Sequence, residues 1–174
     1  NPRMINMNGD TVNINGYATD VITDEALDWL NNRDKQKPFL LLLHHKAPHR
    51  NFVPALKWLE QFRTKNFPEP ATLYTDMKEH AKAWQTQRMS ILHDMTLGAD
   101  LKIDPVYFTQ LKGFVTDSAD VRGYHSIMNR IPETDRRRMK EIYAERGKHL
   151  VTVWGNDSLV LKAKYQWYIQ DFMA

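Results

Sequence analysis

The 174-residue sequence predicts an α/β fold in which helices flank a sheet that this chain supplies only in part. Residues 39–43 are apolar without alternation and begin behind Pro38, a pattern typical of a short strand buried on both faces. An amphipathic helix ends a few residues earlier, which is the order of a βαβ unit. Since only 149–154 offers a second good strand downstream, we expect a piece of a larger α/β domain, with a small helical domain as the alternative.

Composition and charge narrow the classes of protein further. With 42% hydrophobic and 11% aromatic residues the chain can bury a sizeable core, and without Cys it has no disulfide, thiolate nucleophile or Cys-ligated zinc. The 24 Lys and Arg residues are mixed with 21 Asp and Glu residues, so the net charge of +3 indicates a solvated surface rather than a nucleic-acid partner. No apolar run approaches the roughly 20 residues that a membrane span requires.

Before the predicted strand, the sequence indicates a hairpin and a helix. Residues 4–7 and 11–14 alternate apolar and polar side chains around the turn residues 8–10, which predicts two paired strands. A helix capped by Thr19 or Asp20 follows, because apolar residues then recur at helical spacing. They are Val21, Ile22, Ala26, Trp29 and Leu30.

After the predicted strand, the chain is expected to be mainly helical and loop. Helices are predicted over 54–62, over 76–95 and over 132–146, the third of them beginning with Pro and ending before Gly. A last helix is capped by Asp157 or Ser158. No repeat or Gly/Ser linker divides the chain, so we expect one unit without an internal boundary.

The end of the predicted strand carries the residues best suited to chemistry. His44, His45 and His49 lie within six residues, at the edge where open α/β sheets place their ligand sites. Lys46 and Arg50 add two cations, so the segment suits an oxyanion. Neighbouring side chains on a strand point to opposite faces, so one of His44 and His45 is expected to be structural.

Other common kinds of site are not indicated. A zinc site needs three or four ligands, and the sequence has neither a Cys pair nor a His-Glu-x-x-His motif. It also has no Gly-x-Ser-x-Gly, Walker or dinucleotide-binding motif. The basic run 136–138 stands among acidic residues and is interpreted as a solvated helix face rather than a nucleic-acid contact.

Three stretches of the sequence carry a resemblance to a known family. They read GYATDVITDEALDWL over 16–30, KPFLLLLHHKAPHR over 37–50 and KYQWYIQDF over 164–172. In this order they resemble the type I sulfatases of the alkaline-phosphatase-like superfamily, in particular bacterial members that act on sulfated glycans. The resemblance implies a partial alkaline-phosphatase-like sheet flanked by helices, with a helix leading into a central strand and a Pro-His loop after it.

By this resemblance, His49 takes the position of the histidine that binds the substrate sulfate and protonates the leaving group. Lys46, Arg50 and His45 are the candidates for further contact with the substrate, which the resemblance implies is a sulfated carbohydrate. Family members are periplasmic or secreted and use calcium and a formylglycine made in a Cys/Ser-x-Pro-x-Arg motif. This chain contains neither that motif nor the family's calcium-binding elements, so no metal ligand is assigned to it.

The resemblance therefore implies a sulfuric ester hydrolase of which residues 1–174 are an internal fragment of the catalytic domain. Such a fragment is expected to be inactive alone and to be completed by the rest of the parent polypeptide. Two alternatives stay open. A phosphonate or phosphate ester hydrolase of the same superfamily uses the same oxyanion geometry. A non-catalytic module would bind sulfated glycans through His49, Lys46 and Arg50 without a nucleophile.

Overall fold

The computed structural model of the chain describes residues 2–6, 8–75, 78, 80–87 and 89–174. They form one small sheet and a set of helices, with none of the described helices long and apolar enough to cross a bilayer. The elements are β1 (Arg3–Ile5), β2 (Thr11–Asn13), α1 (Ala18–Asn32), α2 (Leu56–Phe62), α3 (Lys82–Thr86), α4 (Ser118–Arg130), α5 (Glu133–Val153) and α6 (Asp157–Met173), with 3-10 helices at Ala71–Tyr74 and Pro105–Gln110.

The N-terminal hairpin is confirmed. Strands β1 and β2 pair antiparallel, and the Asn6 side chain accepts hydrogen bonds from the backbone N–H groups of Asn8 and Asp10 at 3.0 and 2.9 Å. Gly9 has a φ of +89°, the left-handed conformation that favours glycine in such a turn. Residue 7, which the sequence places in the first strand, lies outside the described residues.

Helix α1 is also confirmed, but its start and its packing differ from the prediction. It begins at Ala18, so the predicted caps Thr19 and Asp20 lie inside the helix, and no side chain caps it. Ala26 alone among its residues is buried. Trp29, on the predicted apolar face, is half exposed and packs edge-on against the ring of Phe39, with 5.6 Å between centroids.

The strand predicted at 39–43 is wrong for this chain. These residues form neither strand nor helix, and Phe39, Leu40 and Leu42 are 50%, 80% and 69% exposed. A strand covered on both faces needs neighbours to pair its backbone groups. Within the described residues the strands of the hairpin pair only with each other, so the segment has nothing to join.

The strand predicted at 149–154 is wrong as well, because helix α5 continues through these residues to Val153. The buried residues of this helix recur at intervals of three and four between 139 and 150, the period of a helix rather than of a strand. They are Met139, Ile142, Tyr143, Arg146, Gly147 and Leu150. Gly147, the predicted helix end, instead lies against Tyr107, where an added Cβ would be 2.3 Å from the ring.

Of the remaining predicted helices, two are confirmed and one is wrong. Helix α2 matches the prediction over 54–62, and α6 matches except that Asn156 caps it by accepting from the Leu159 N–H at 3.2 Å. Among the described residues of the predicted helix over 76–95, Lys82–Thr86 (α3) is α-helical, while 91–95 forms a turn. Residues 76, 77, 79 and 88 lie outside the described residues.

The core is formed by α2, α4, α5 and α6, the second 3-10 helix and the turn that precedes it, together with residues that directly flank these elements. Buried apolar residues from these elements make two packed groups. One contains Leu97, Leu101, Ile103, Phe108, Leu111, Leu150, Val160, Ala163 and Trp167. The other contains Leu59, Tyr124, Ile127, Met128, Ile131, Met139, Ile142 and Tyr143. The turn that carries Leu97 to Ile103 is therefore a fixed part of the core.

Among the charged side chains that are buried in the described part of the chain, Lys102, Arg146 and Asp171 are paired with one another, and we call these three the buried ion cluster. They are 0%, 4% and 4% exposed. Asp171 accepts from Lys102 Nζ at 2.8 Å and from both terminal nitrogens of Arg146 at 3.0 and 2.7 Å. Burial would raise the pKa of Asp171, but the two cations outweigh it and hold that pKa below its ordinary value. The cluster ties α5 and α6 to the turn at Lys102.

Replacing Asp171 by Asn keeps the shape of the side chain and removes the anion of the buried ion cluster. Because Lys102 and Arg146 are then buried without a counter-charge, we expect the free energy of unfolding to fall by about 3–5 kcal/mol. Urea denaturation followed by far-UV circular dichroism measures this loss.

The matched control is Glu145→Gln, which breaks an ion pair with Arg63 of 2.9 Å whose carboxylate is exposed. An exposed pair contributes less than about 1 kcal/mol. Equal small losses in the two variants would contradict the role given to the buried ion cluster.

Candidate functional site

The candidate site lies on the exposed segment that follows residues 39–43. The side chains of His44, His45, Lys46 and His49 are all exposed. A turn is closed where the backbone N–H of His49 donates to the carbonyl of Lys46 at 2.9 Å. This turn brings His49 and Lys46 onto one loop, whereas the side chain of His45 has no hydrogen bond or ion pair with any of the residues that the structure describes.

The imidazole of His49 is held by its own neighbour. Its Nδ1 is in hydrogen-bond contact with the backbone carbonyl oxygen of Arg50. A carbonyl only accepts, so this contact selects the tautomer with the proton on Nδ1. The remaining ring nitrogen, Nε2, is then the one available to a ligand.

Arg50 lies beside the loop in a two-point ion pair with Asp100. Its Nε donates to Oδ1 at 2.7 Å and its Nη2 to Oδ2 at 2.5 Å. Nη2 also donates to the carbonyl of Asp94 at 3.1 Å. The structure therefore places the guanidinium of Arg50, predicted from the sequence as a substrate contact, against protein carboxylate and carbonyl oxygens.

Asp100 is the residue on which several of these contacts converge. Its side chain, although almost fully buried, receives hydrogen bonds from Arg50, from Asn51 Nδ2 at 2.5 Å, and from the N–H and Oγ1 of Thr96 at 2.8 and 2.9 Å. Burial would raise the pKa of Asp100, but the hydrogen bonds from Arg50 and Thr96 outweigh it and lower that pKa. Asp100 is thus an anion with every oxygen engaged.

The turn around Asp100 is held from two further sides. Lys164 of α6 is buried and donates from Nζ to the carbonyls of Leu92 and Met95 at 2.7 and 3.0 Å. Asp120 of α4 accepts from the backbone N–H groups of Gly98 and Ala99, at 3.0 and 2.7 Å. Both contacts are to backbone groups of this turn, and neither involves Arg50, Asn51 or the carboxylate of Asp100.

A small cavity lies between the ion pair and the core. Arg50, Asp100 and Asp171 border it together with apolar side chains. Those side chains are Phe52, Met95 and Tyr168. The rings of Phe52 and Tyr168 have centroids 5.2 Å apart, so the chain just after the His49 loop is packed onto α6.

Sequence reasoning missed Asp100, and the sequence offers little signal for it. Asp100 lies 50 residues from Arg50 in the chain and belongs to no recognisable motif. The only local hint is Thr96, four residues earlier, whose hydroxyl both donates to the Asp100 carboxylate and accepts from its N–H.

The described residues do not fit the metal and the nucleophile that the sequence resemblance implies. Among them, no group of three or more His, Asp or Glu side chains is placed to hold a metal ion. The buried carboxylates of Asp100, Asp120 and Asp171 are occupied by protein donors. The chain has no Cys and no Ser-x-Pro-x-Arg motif. Neither calcium nor formylglycine is therefore assigned to a residue in the described part of the chain.

Comparisons with known proteins give relatives for most of the chain. It is 38% identical over 163 residues to N-acetylglucosamine-6-O-sulfatase of Bacteroides thetaiotaomicron, which covers 91% of this chain and 27% of that protein. It is 30% identical over 56 residues to an arylsulfatase of Clostridium perfringens, covering 32% of this chain and 12% of that protein. No protein-family model matches the chain.

A solved structure is similar over nearly the whole chain. It is BT4656 in complex with its substrate D-glucosamine-2-N,6-O-disulfate, with a TM-score of 0.79, 36% identity, and coverage of 95% of this chain and 32% of that chain. The chain thus spans 27% of the length of the Bacteroides relative and 32% of the solved chain.

The turn beside the candidate site should respond to alkaline pH through Lys164. Burial lowers the pKa of Lys164 from an ordinary value of 10.5 to about 8. Between these values the unfolded chain holds a proton that the folded chain has lost, so stability rises with pH. The stability gained from burying Lys164 as a neutral amine is fully present above pH 10.5 and is lost as the pH falls through about 8.

We therefore expect the unfolding free energy of the natural chain, minus that of Lys164→Met, to rise by roughly 3 kcal/mol between pH 8 and pH 10.5. Urea denaturation of both proteins across this range measures it, and the subtraction cancels groups that titrate in both. A difference that stays constant with pH would show that Lys164 is not buried as described.

Proposed function

The chain belongs to the sulfatase family, and we propose that it forms part of a sulfuric ester hydrolase that acts on a sulfated carbohydrate, with His49 at the sulfate. The observation that carries the proposal is the state of His49. Its ring is exposed, while its backbone is closed into a turn and its Nδ1 is held by the next carbonyl. An exposed imidazole with one nitrogen fixed is suited to hold or move a proton at the other.

The chemistry of a sulfate ester explains why a histidine is useful there. When the bond between sulfur and the bridging oxygen breaks, a sugar leaves as a poor alkoxide unless it receives a proton. The Nε2–H of a cationic His49 donates that proton to the bridging oxygen, while Nδ1–H remains on the carbonyl of Arg50. A positioned general acid typically contributes 10²–10⁴-fold to the rate.

Lys46 and Arg50 have different roles in this proposal. The ammonium of Lys46 is exposed on the same turn and offers a point charge to the sulfate oxygens. Arg50 uses Nε and Nη2 on Asp100 and Asp94, which leaves only Nη1 for a substrate. We therefore rank Lys46 above Arg50 as a substrate contact, with His45 as a further contact from the same segment.

The choice of substrate rests on the relatives. One is named for N-acetylglucosamine 6-O-sulfate chemistry, and BT4656 has D-glucosamine-2-N,6-O-disulfate as its substrate. Both substrates belong to other proteins, so we propose a sulfated amino sugar as the substrate for this chain by analogy with them. The nucleophile and calcium are proposed to come from elsewhere in the complete gene product, which is proposed to be periplasmic or secreted.

We expect His49→Ala in the complete gene product to lower kcat on a sugar sulfate by roughly 10²–10⁴-fold, the range for loss of a positioned general acid. The loss should be smaller on nitrophenyl sulfate, because an activated phenol leaves with little protonation. Initial rates of sulfate release from D-glucosamine-2-N,6-O-disulfate and from nitrophenyl sulfate measure both effects.

His125→Ala is the control, since His125 is exposed on α4 and belongs to no part of the site. It should leave both rates unchanged. Equal losses on the two substrates in His49→Ala would assign His49 to sulfate binding alone, and no loss would remove it from the site. Faster release of phosphate than of sulfate from matched esters would favour a phosphate ester hydrolase.

A further inference from the structure

We propose that Asp100 is a positioning residue for His49. The buried carboxylate of Asp100 binds Arg50 and Asn51, the two residues that follow His49 in the chain. Through these two residues it sets the orientation of the exposed His49 imidazole. This inference rests on the proposed function for its catalytic consequence. It rests on the geometry of the described residues for the positioning itself.

The first step is the link between Asp100 and the loop. Arg50 binds both oxygens of Asp100, and Asn51 Nδ2 donates to Oδ1 at 2.5 Å. A two-point pair between guanidinium and carboxylate fixes direction as well as distance. Two consecutive residues are thus held by one side chain, so the backbone after His49 has little freedom to rotate.

The second step is the link between Arg50 and the imidazole. The carbonyl of Arg50 contacts Nδ1 of His49. Any rotation of Arg50 moves that carbonyl and frees Nδ1, after which the ring adopts either tautomer. The side chain of Arg50 therefore acts on His49 through its own backbone, as an outer hydrogen bond orients a ligating histidine in other sites.

The third step is that Asp100 itself is immobile. Thr96 donates twice to its carboxylate, and the next two residues, Leu101 and Lys102, are buried in the core. Lys102 is in turn paired with Asp171 at 2.8 Å. Asp100 is therefore a fixed point of the core that reaches the surface loop.

The consequence for catalysis is specific. An imidazole that is free to rotate still binds the sulfate, but its Nε2–H is less well aligned with the bridging oxygen that must receive the proton. Misplacement of a catalytic group by about 1 Å can cost on the order of 10²-fold in rate. Loss of Asp100 should therefore lower kcat more than it changes KM, and the loss should be larger on a sugar sulfate than on nitrophenyl sulfate.

Asp100→Asn in the complete gene product tests the inference, with Asp120→Asn as the matched control. Both are buried carboxylates that hold the same turn, but only Asp100 contacts Arg50 and Asn51. We expect Asp100→Asn to lower kcat on D-glucosamine-2-N,6-O-disulfate by up to about 10²-fold and to have no further effect in a His49→Ala background. Asp120→Asn should keep the ratio of rates on the two substrates unchanged.

A second variant keeps the test usable if Asp100→Asn does not fold. Arg50→Lys retains the charge but loses the two-point geometry, and it should show the same loss on the sugar sulfate and the same dependence on His49. Equal losses on both substrates, or an additive loss in the His49→Ala background, would overturn the positioning role.

Hydrogen exchange separates the positioning role from the proposed function. Backbone amides of 46–53 should exchange faster in Asp100→Asn than in the natural protein or in Asp120→Asn, whether or not the protein hydrolyses sulfate esters. If the natural protein releases no sulfate and exchange still rises, the proposed function fails and the positioning stands. Unchanged exchange over 46–53 would overturn the positioning, whatever the activity.

Discussion

The salt bridge of Asp171 with Arg146 and Lys102 fixes how α5, α6 and the turn at Lys102 are arranged in the helical core. Two cations and one anion are buried where α5, α6 and the turn after Leu101 meet. Such a group is tolerated in a core only when its geometry satisfies the charges. Because Asp171 accepts from both partners at 2.7 to 3.0 Å, the three elements are confined to one relative position. Apolar packing alone is less strict, since it tolerates rearrangement.

From this cluster a short chain of contacts leads to the surface. Lys102 lies two residues from Asp100, and Asp100 binds Arg50, whose carbonyl holds the ring of His49. The packing of Phe52 onto Tyr168 attaches the other end of the loop to α6. An exposed loop is usually mobile, and rigid support is what makes a loop residue useful for chemistry. The loop that carries His49 is therefore attached to the helical core at both Arg50 and Phe52.

The parts of the fold that sequence reasoning predicted correctly are those with local signals. The hairpin has a turn with Gly9 at positive φ, and α2 and α6 show helical spacing. The α/β class is confirmed through similarity to a sulfatase of known structure, although the described part of this chain is mostly helical. Residues 39–43 have the composition of a buried strand, but that structure depends on neighbouring strands that the described residues do not provide.

The candidate site was predictable only in part, for a similar reason. His49 is a candidate because it stands in a stretch whose order resembles a family, which is a local signal. Asp100, Lys102 and Asp171 look like surface residues in the sequence, because charged side chains are rarely buried. Their burial depends on partners 25 to 69 residues away, and pairing at that distance leaves no periodic trace. Helix α4 was missed although Asp117 caps it by accepting from the Ala119 N–H at 2.7 Å.

The core is expected to present His49 to a sulfate ester while Arg50 stays on Asp100. A crystal structure of the complete gene product with D-glucosamine-2-N,6-O-disulfate tests this arrangement. We expect Nε2 of His49 at about 3 Å from an oxygen of a sulfate group, a hydrogen-bond distance, with both contacts between Arg50 and Asp100 intact. A sulfate group bound away from His49, or an Arg50 that leaves Asp100 to bind the sulfate, would contradict it.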